Sequence, residues 1–251
     1  MTPSPLLNVR GLDVHYGRFQ ALFHVAVHVA QGEVVALIGG NSAGKSTLLR
    51  AIAALLAPSA GTIVFSGTDL GDLKPHQVVA LGVSLVPEGR HVFGSLTVRE
   101  NLLVGAHSRR ARNAIRQSME EVYELFPILR QRANIMGNEL SGGEQQMLAI
   151  GRSLMSGPAL MMLDEISQGL SPLVIKAVYR TLSAISRTGT AVLLVEQDVR
   201  RSVSVADRVY AMVRGRAVCL GVPGSLTEDD LKKACFGFEL QGARSSEGER
   251  S

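Results

Sequence analysis

The apolar positions of this chain fall into two textures. Toward the front they alternate with polar ones at a period of two, over residues 6–14 and again over residues 22–29. In the second run Phe23, Val25, Val27 and Val29 share one face and His24 and His28 the other. That predicts a strand with solvent-facing histidines rather than a metal-ligand pair. Residues 61–65 predict another strand. Unbroken apolar runs at 34–38, 160–163 and 191–195 predict strands buried on both faces. From Val98 to about Ser156 the texture turns helical, and residues 109–126 are polar, charged and free of Gly and Pro until Pro127 interrupts them. A further helix is predicted over 173–186, and a closing pair of strands over 209–213 and 217–220 around Arg214-Gly215. Buried strands alternating with helices predict an α/β fold with a largely parallel core sheet. The front strands form an antiparallel β subdomain, and the helical stretch is a subdomain insert. The expected organisation is one domain over residues 1–240, with a core of 1–97 and 157–240, an insert of about 98–156, and a disordered tail over 241–251.

Chemistry concentrates at three places. Gly39-Gly40-Asn41-Ser42-Ala43-Gly44-Lys45-Ser46-Thr47 matches the phosphate-binding pattern G-x-x-x-x-G-K-[ST]. It follows the apolar run ending at Ile38 and precedes a helix-like stretch over 48–56, which Pro58 and Gly61 close. Backbone N–H groups of such a loop cradle a β-phosphate, Lys45 reaches the β/γ-phosphates, and the Ser46 hydroxyl sits on Mg²⁺. The second place is Ser141, with Glu144 three residues on, a capping box at the start of a helix running to Met155. Gly142 and Gly143 leave that helix start bare of side chains and open to an anion. The third is the pair Asp164-Glu165 at the end of an apolar strand. Asp164 is positioned to hold Mg²⁺ through water and Glu165 to polarise an attacking water.

Composition narrows the picture. Hydrophobic residues make up 46% of the chain, enough for a substantial core, but aromatics are 4% and Trp is absent, which argues against rows of base-stacking side chains. A net charge of +4 is modest and does not call for nucleic acid. The cluster Arg109-Arg110-Ala111-Arg112, with Arg116, reads as a solvated helical face, or secondarily as a neighbour of anionic lipid. Cys219 and Cys235 stand near no other plausible ligands, which suggests a reduced intracellular protein. The first residues do not read as a signal peptide, and no run approaches a membrane span, so a membrane role must come through a partner.

The phosphate loop, residues 140–146 and residues 160–165, in this order and spacing, resemble the nucleotide-binding subunits of ABC transporters over residues 6 to about 238. The resemblance implies a P-loop NTPase of ABC type that uses ATP and Mg²⁺. It implies that Ser141, Gly142, Gly143 and Glu144 close over ATP held by a second subunit, that Ser167, Gln168, Gly169 and Leu170 signal across that dimer, and that Tyr16 stacks on adenine. The segment Val86-Pro87-Glu88-Gly89-Arg90, with residues 147–152 and Leu194-Val195-Glu196-Gln197, resembles the second ATPase of bacterial branched-chain amino acid importers. Glu88 then stands where most relatives carry a Mg²⁺-contacting Gln, and Gln197 where most carry a switch His. Glu165, Gln197 and Lys45 are the implied catalytic residues. Gln197 can bridge a γ-phosphate but cannot take a proton as His can.

Three positions depart from that branch: Ile166 in place of Pro, Gln168 in place of Leu, and Ser42 in place of a Gly. Ser42 must then adopt whatever backbone angle a glycine takes there. The resemblance further implies a second, related ATPase in a heterodimer, two membrane permeases and, indirectly, a periplasmic solute-binding protein. It implies a place on the cytoplasmic face of the bacterial inner membrane. Permease coupling is expected in a groove between core and insert, with Glu88, Arg90 and Arg99 near an apolar floor of Phe93, Leu96 and Val98. Subunits for urea or another small organic solute, and soluble ABC proteins of repair or translation, stay open as alternatives. The missing second nucleotide domain and coiled-coil insert weigh against the soluble types.

Overall fold

The computed structural model describes residues 5–107, 109–227 and 229–231. The expected tail over 241–251, the end of the expected domain and Cys235 lie outside the described residues.

The chain opens with an antiparallel hairpin, β1 (Leu7–Tyr16) and β2 (Phe19–Val29), turned at Gly17 with φ +58°. Three register shifts run along it, one near the turn between Val14 and His15, and the other two set its faces. Gly11 (φ +55°) adds a residue to β1, and His24 (φ +53°) adds one to β2. The extra residue shifts the inward phase, so Leu22 is fully buried and Phe23 is not. This corrects the strict alternation expected from Phe23 to Val29: Val25, Val27 and Val29 face inward, while Phe23 lies under the Arg216 guanidinium at 5.3 Å. His28 also departs from expectation. It is half-buried, its Nδ1 pairs with the Tyr210 hydroxyl at 2.8 Å, and burial pushes its pKa down.

β3 (Val34–Ile38) is wholly buried and leads into α1 (Lys45–Ile52). This helix ends sooner than its apolar run suggests. Ala53 caps it and Ala54 turns the chain at φ +55°, before Pro58 and Gly61 are reached. β4 (Ala60–Phe65), β5 (Thr68–Asp69), α2 (Pro75–Leu81) and β6 (Val83–Val86) follow. Residues 98–154 then contribute helices: α3 (Val98–Gly105), α4 (Arg109–Asn113), α5 (Ile115–Leu125), α6 (Pro127–Gln131) and α7 (Gly142–Leu154). The chain returns through β7 (Leu160–Asp164), α8 (Pro172–Arg187), β8 (Ala191–Glu196), α9 (Val199–Val205), β9 (Arg208–Val213) and β10 (Arg216–Gly221).

Two sheets result. One is antiparallel, in the order β2-β1-β4-β5; the other runs β10-β9-β3-β8-β7-β6, parallel except for the edge strand β10. The second sheet is apolar on both faces. Leu160, Met162, Leu193 and Val195 pack toward the first sheet and α1, while Met161, Leu163, Val192 and Leu194 pack toward α3, α5, α7 and α8. A strand buried on both sides must be apolar throughout, which explains why these runs lack alternation. The parallel order carries the ends of β3, β7 and β8 to one edge, where a ligand site of an open α/β sheet belongs.

Candidate active site

The loop between β3 and α1 wraps over the end of the sheet. Gly44 holds φ +107° and Ser42 holds φ +61°, so the serine does occupy a left-handed position, at a strain of about 1–2 kcal/mol. The loop is braced from behind, because Gly215 in the β9–β10 turn donates its N–H to Ala43 O at 2.8 Å. No side chain caps α1 and its first turn holds no acid, so the leading N–H groups remain available to an anion.

Lys45 is buried and fully engaged. Its ammonium donates to Gly39 O and Gly40 O, both at 2.9 Å, and lies 3.2 Å from Oε1 of Glu165. Glu165 immediately follows β7, two strands along the sheet from β3, and holds φ +46°. Its Oε2 accepts from Nε2 of Gln197 at 2.6 Å. Tertiary structure thus brings Lys45, Glu165 and Gln197 together from three separated segments.

Asp164 ends β7 in a buried position, and its Oδ1 has no hydrogen-bond partner. Burial pushes its carboxyl above the usual range; Ser46 and Lys45 act against this, Glu165 and Glu88 with it. The Ser46 hydroxyl lies within hydrogen-bonding reach of this carboxylate, and the Glu88 charge is felt there. An orphaned, buried carboxylate oxygen beside a serine hydroxyl and two further acids suits a Mg²⁺ ion, which takes one or two carboxylates and completes its shell with phosphate and water.

A cavity of about 500 Å³ adjoins the loop. Ser42 to Thr47 and Glu165 form one wall, Tyr16 and Phe19 another. Tyr16 is 43% exposed and Phe19 is 70% exposed. Phe19, Phe23 and Arg214 also line this cavity and carried no signal in their local sequence; Arg214 arrives there only because β10 closes against β2. Asn41 and Gly40 are exposed on the loop.

The second anion-ready element is built differently. Ser141 caps α7, and its N–H donates to Glu144 Oε2 at 2.8 Å while Glu144 N–H donates to Ser141 Oγ at 3.4 Å. Burial works against the Glu144 charge, but the Ser141 bonds and Arg132 outweigh it and hold the carboxyl below its usual range. Neighbours crowd the glycines. A Cβ on Gly142 would fall 2.7 Å from Nη1 of Arg90, and one on Gly143 would fall 2.9 Å from the Val174 methyls. Residues 141–144 do not line the cavity at the phosphate loop of their own chain. The turn Ser167, Gln168, Gly169 and Leu170 projects beyond β7, with Gln168 and Gly169 exposed.

Between core and insert lies a groove of about 450 Å³, walled by Val86, Pro87, Phe93, Val104 and Arg152. The Arg152 guanidinium stacks 4.9 Å above the Phe93 ring and donates to His91 O at 2.7 Å. Val98, the first residue of α3, is fully buried, and Leu96 and Arg90 do not line the groove, so its apolar floor differs from the expected Phe93, Leu96 and Val98. Arg90 lies against Gly142 instead.

A phosphate loop whose lysine meets a carboxylate two strands away belongs to a nucleoside triphosphatase. The glycine-bare start of α7, carried on a helical insert, narrows the class to ATP-binding cassettes. The chain belongs to the ABC transporter family, whose profile matches residues 22–168. It is 42% identical to the high-affinity branched-chain amino acid transport ATP-binding protein BraG of Pseudomonas aeruginosa, across 85% of this chain and 91% of that one. It is 32% identical to the probable branched-chain amino acid transport ATP-binding protein LivF of Archaeoglobus fulgidus, across 93% and 99%. Among solved structures, an ATP-binding subunit of an ABC transporter superposes with a TM-score of 0.75 at 28% identity, covering 93% of this chain and 94% of that one. A nucleotide-free cassette superposes at 0.78 with 24% identity over 92% and 95%, a likeness of fold alone. No helix among the described residues is long and apolar enough to cross a membrane. The chain is therefore an ABC ATPase that works with membrane permease components.

Proposed function

We propose that this chain binds Mg·ATP and hydrolyses it to power import of branched-chain or other hydrophobic amino acids. The observation that carries this is the contact of Lys45 and Gln197 with the two oxygens of Glu165, combined with the likeness to BraG. Lys45 now holds Oε1. A γ-phosphate in the loop offers that ammonium a stronger partner, and Oε1 is then released to take a proton from the attacking water. Oε2 stays on Gln197, which orients the base without titrating. Mg²⁺, held by Ser46 and Asp164 with Glu88 nearby, would neutralise charge on the β- and γ-phosphates. Tyr16, with Phe19 beside it, offers a face for the adenine.

The working assembly we propose is a heterodimer with a related ATPase, on the cytoplasmic side of the inner membrane beneath two permeases, with a solute-binding protein outside. Each Ser141–Glu144 segment closes on the partner's ATP, and the 167–170 turn meets the partner. A short permease helix fits the groove at Phe93. Co-purification from membranes with neighbouring permease genes co-expressed tests this. The parent is expected in the membrane complex, and Phe93→Asp is expected to be lost from it. Recovery of the parent free of any permease or second ATPase would favour a non-transport ABC protein. A complex that moves urea or another solute, but no hydrophobic amino acid, would correct the cargo alone.

A further inference from the structure

Glu196 is a buried acid that the chemistry above does not use. It closes β8, is 2% exposed, and no Lys, Arg or His bridges it among the described residues. A carboxylate buried without a cation is costly unless hydrogen bonds compensate. Two such bonds come from one residue. Ser167 donates its N–H to Oε1 at 3.0 Å and its hydroxyl to Oε2 at 2.9 Å.

The position of that residue gives the pair its meaning. Ser167 stands two residues after Glu165, and Glu196 stands one residue before Gln197. The turn from Glu165 to Gly169 is weakly held from within, since Gln168 N–H to Glu165 O and Leu170 N–H to Ser167 O are both 3.3 Å. It also begins and ends in left-handed backbone, at Glu165 (φ +46°) and Gly169 (φ +67°), with no proline to stiffen it at Ile166. Ile166 anchors one side by packing into the core beneath the helices. Glu165 itself donates its N–H to Val195 O of β8 at 2.9 Å, and beyond it the outer part of the turn is tethered by the pair of hydrogen bonds from Ser167 to Glu196. The Tyr179 hydroxyl of α8 is buried beside the same Glu196–Ser167 pair.

We infer that Glu196 is a positioning residue for hydrolysis. It pins the turn that carries Glu165, and in the same stroke locks that turn to the strand end that carries Gln197. The base, its orienting glutamine and the dimer-facing turn then move as one body. This rests on the ATPase chemistry and is independent of the solute.

Steady-state ATP hydrolysis by the purified full chain tests it, with thermal melting alongside. Glu196→Ala is expected to lower kcat by about tenfold to a hundredfold, with KM for ATP within about threefold. Glu196→Gln is expected to stay within about threefold of the parent, because its carbonyl accepts the Ser167 N–H and its amide donates to the Ser167 hydroxyl. Ser167→Ala loses part of the tether and lowers kcat less than Glu196→Ala. In the double variant the two losses do not add. A purely structural role predicts a lowered melting temperature without this split between kcat and KM. An active parent whose kcat Glu196→Ala leaves unchanged overturns the inference, as does a Glu196→Gln loss as deep as that of Ala. Should Glu196→Ala fail to fold, an unchanged kcat in Ser167→Ala overturns it equally. A parent that hydrolyses no ATP overturns the ATPase reading and this inference with it.

Discussion

The molecule presents two glycine-rich helix starts, and they are wired in opposite ways. At α1 no side chain caps the helix, Gly44 supplies the left-handed turn, and Lys45 adds a full positive charge. At α7 the capping box is closed, so Ser141 and Glu144 satisfy each other and the first turn carries a negative charge. The first is a complete anion site within one chain. The second has spent the Ser141 N–H on the Glu144 carboxylate and the Glu144 N–H on the Ser141 hydroxyl, and can add only part of a site to phosphate held elsewhere. In the proposed dimer each chain would bring one strong and one weak half.

The largest test of the contrast is Lys45→Ala. Removing the cation from the strong half is expected to abolish tight ATP binding or to cut hydrolysis by about a thousandfold, read in an ATPase assay. Unchanged activity would remove α1 as the strong half. Glu165→Gln comes next. It should bind Mg·ATP yet hydrolyse about a hundredfold to ten-thousandfold more slowly. ATP-bound pairs should then accumulate, visible by size-exclusion chromatography with light scattering; turnover at the parental rate would assign the base elsewhere.

Ser141→Arg attacks the weak half by placing a bulky cation at the start of α7. Expected is loss of those pairs in the Glu165→Gln background, with nucleotide binding by single chains intact. Pairing that survives would show that α7 does not face the partner's nucleotide. The smallest effect is the sharpest for the comparison. Glu144→Gln keeps the capping box but removes its charge, and should tighten ATP-dependent pairing by about twofold to fivefold at low salt. Looser pairing would mean that Glu144 contacts the partner as an acid.

The chemistry was legible because it is local. The phosphate loop, the Ser141–Glu144 box and the Asp164-Glu165 pair each occupy a few consecutive residues whose spacing is their mechanism. The buried strands were legible for a related reason: a central strand of a parallel sheet has apolar neighbours on both faces, so its residues run apolar without a break. The limits were equally physical. Phe23 faces away from the core because one extra residue at His24, accommodated by Gly11 across the hairpin, shifts the phase of β2. Nothing in the alternation around Phe23 reports that bulge. The helix after the loop ends at Ile52 although its apolar pattern continues, because Ala54 turns left-handed.

By itself, then, the sequence determined the family, the strand–loop–helix that binds phosphate and the identity of the acids. Only the tertiary structure decided how they meet. The parallel order β3-β8-β7 brings Lys45, Glu165 and Gln197 into contact and sets Glu196 beneath Ser167, while the loop after β6 lays Arg90 against Gly142 at the start of α7. Those pairings join residues roughly 30 to 120 positions apart, and strand order has no trace in local periodicity because the central strands β3, β7 and β8 are apolar in the same way.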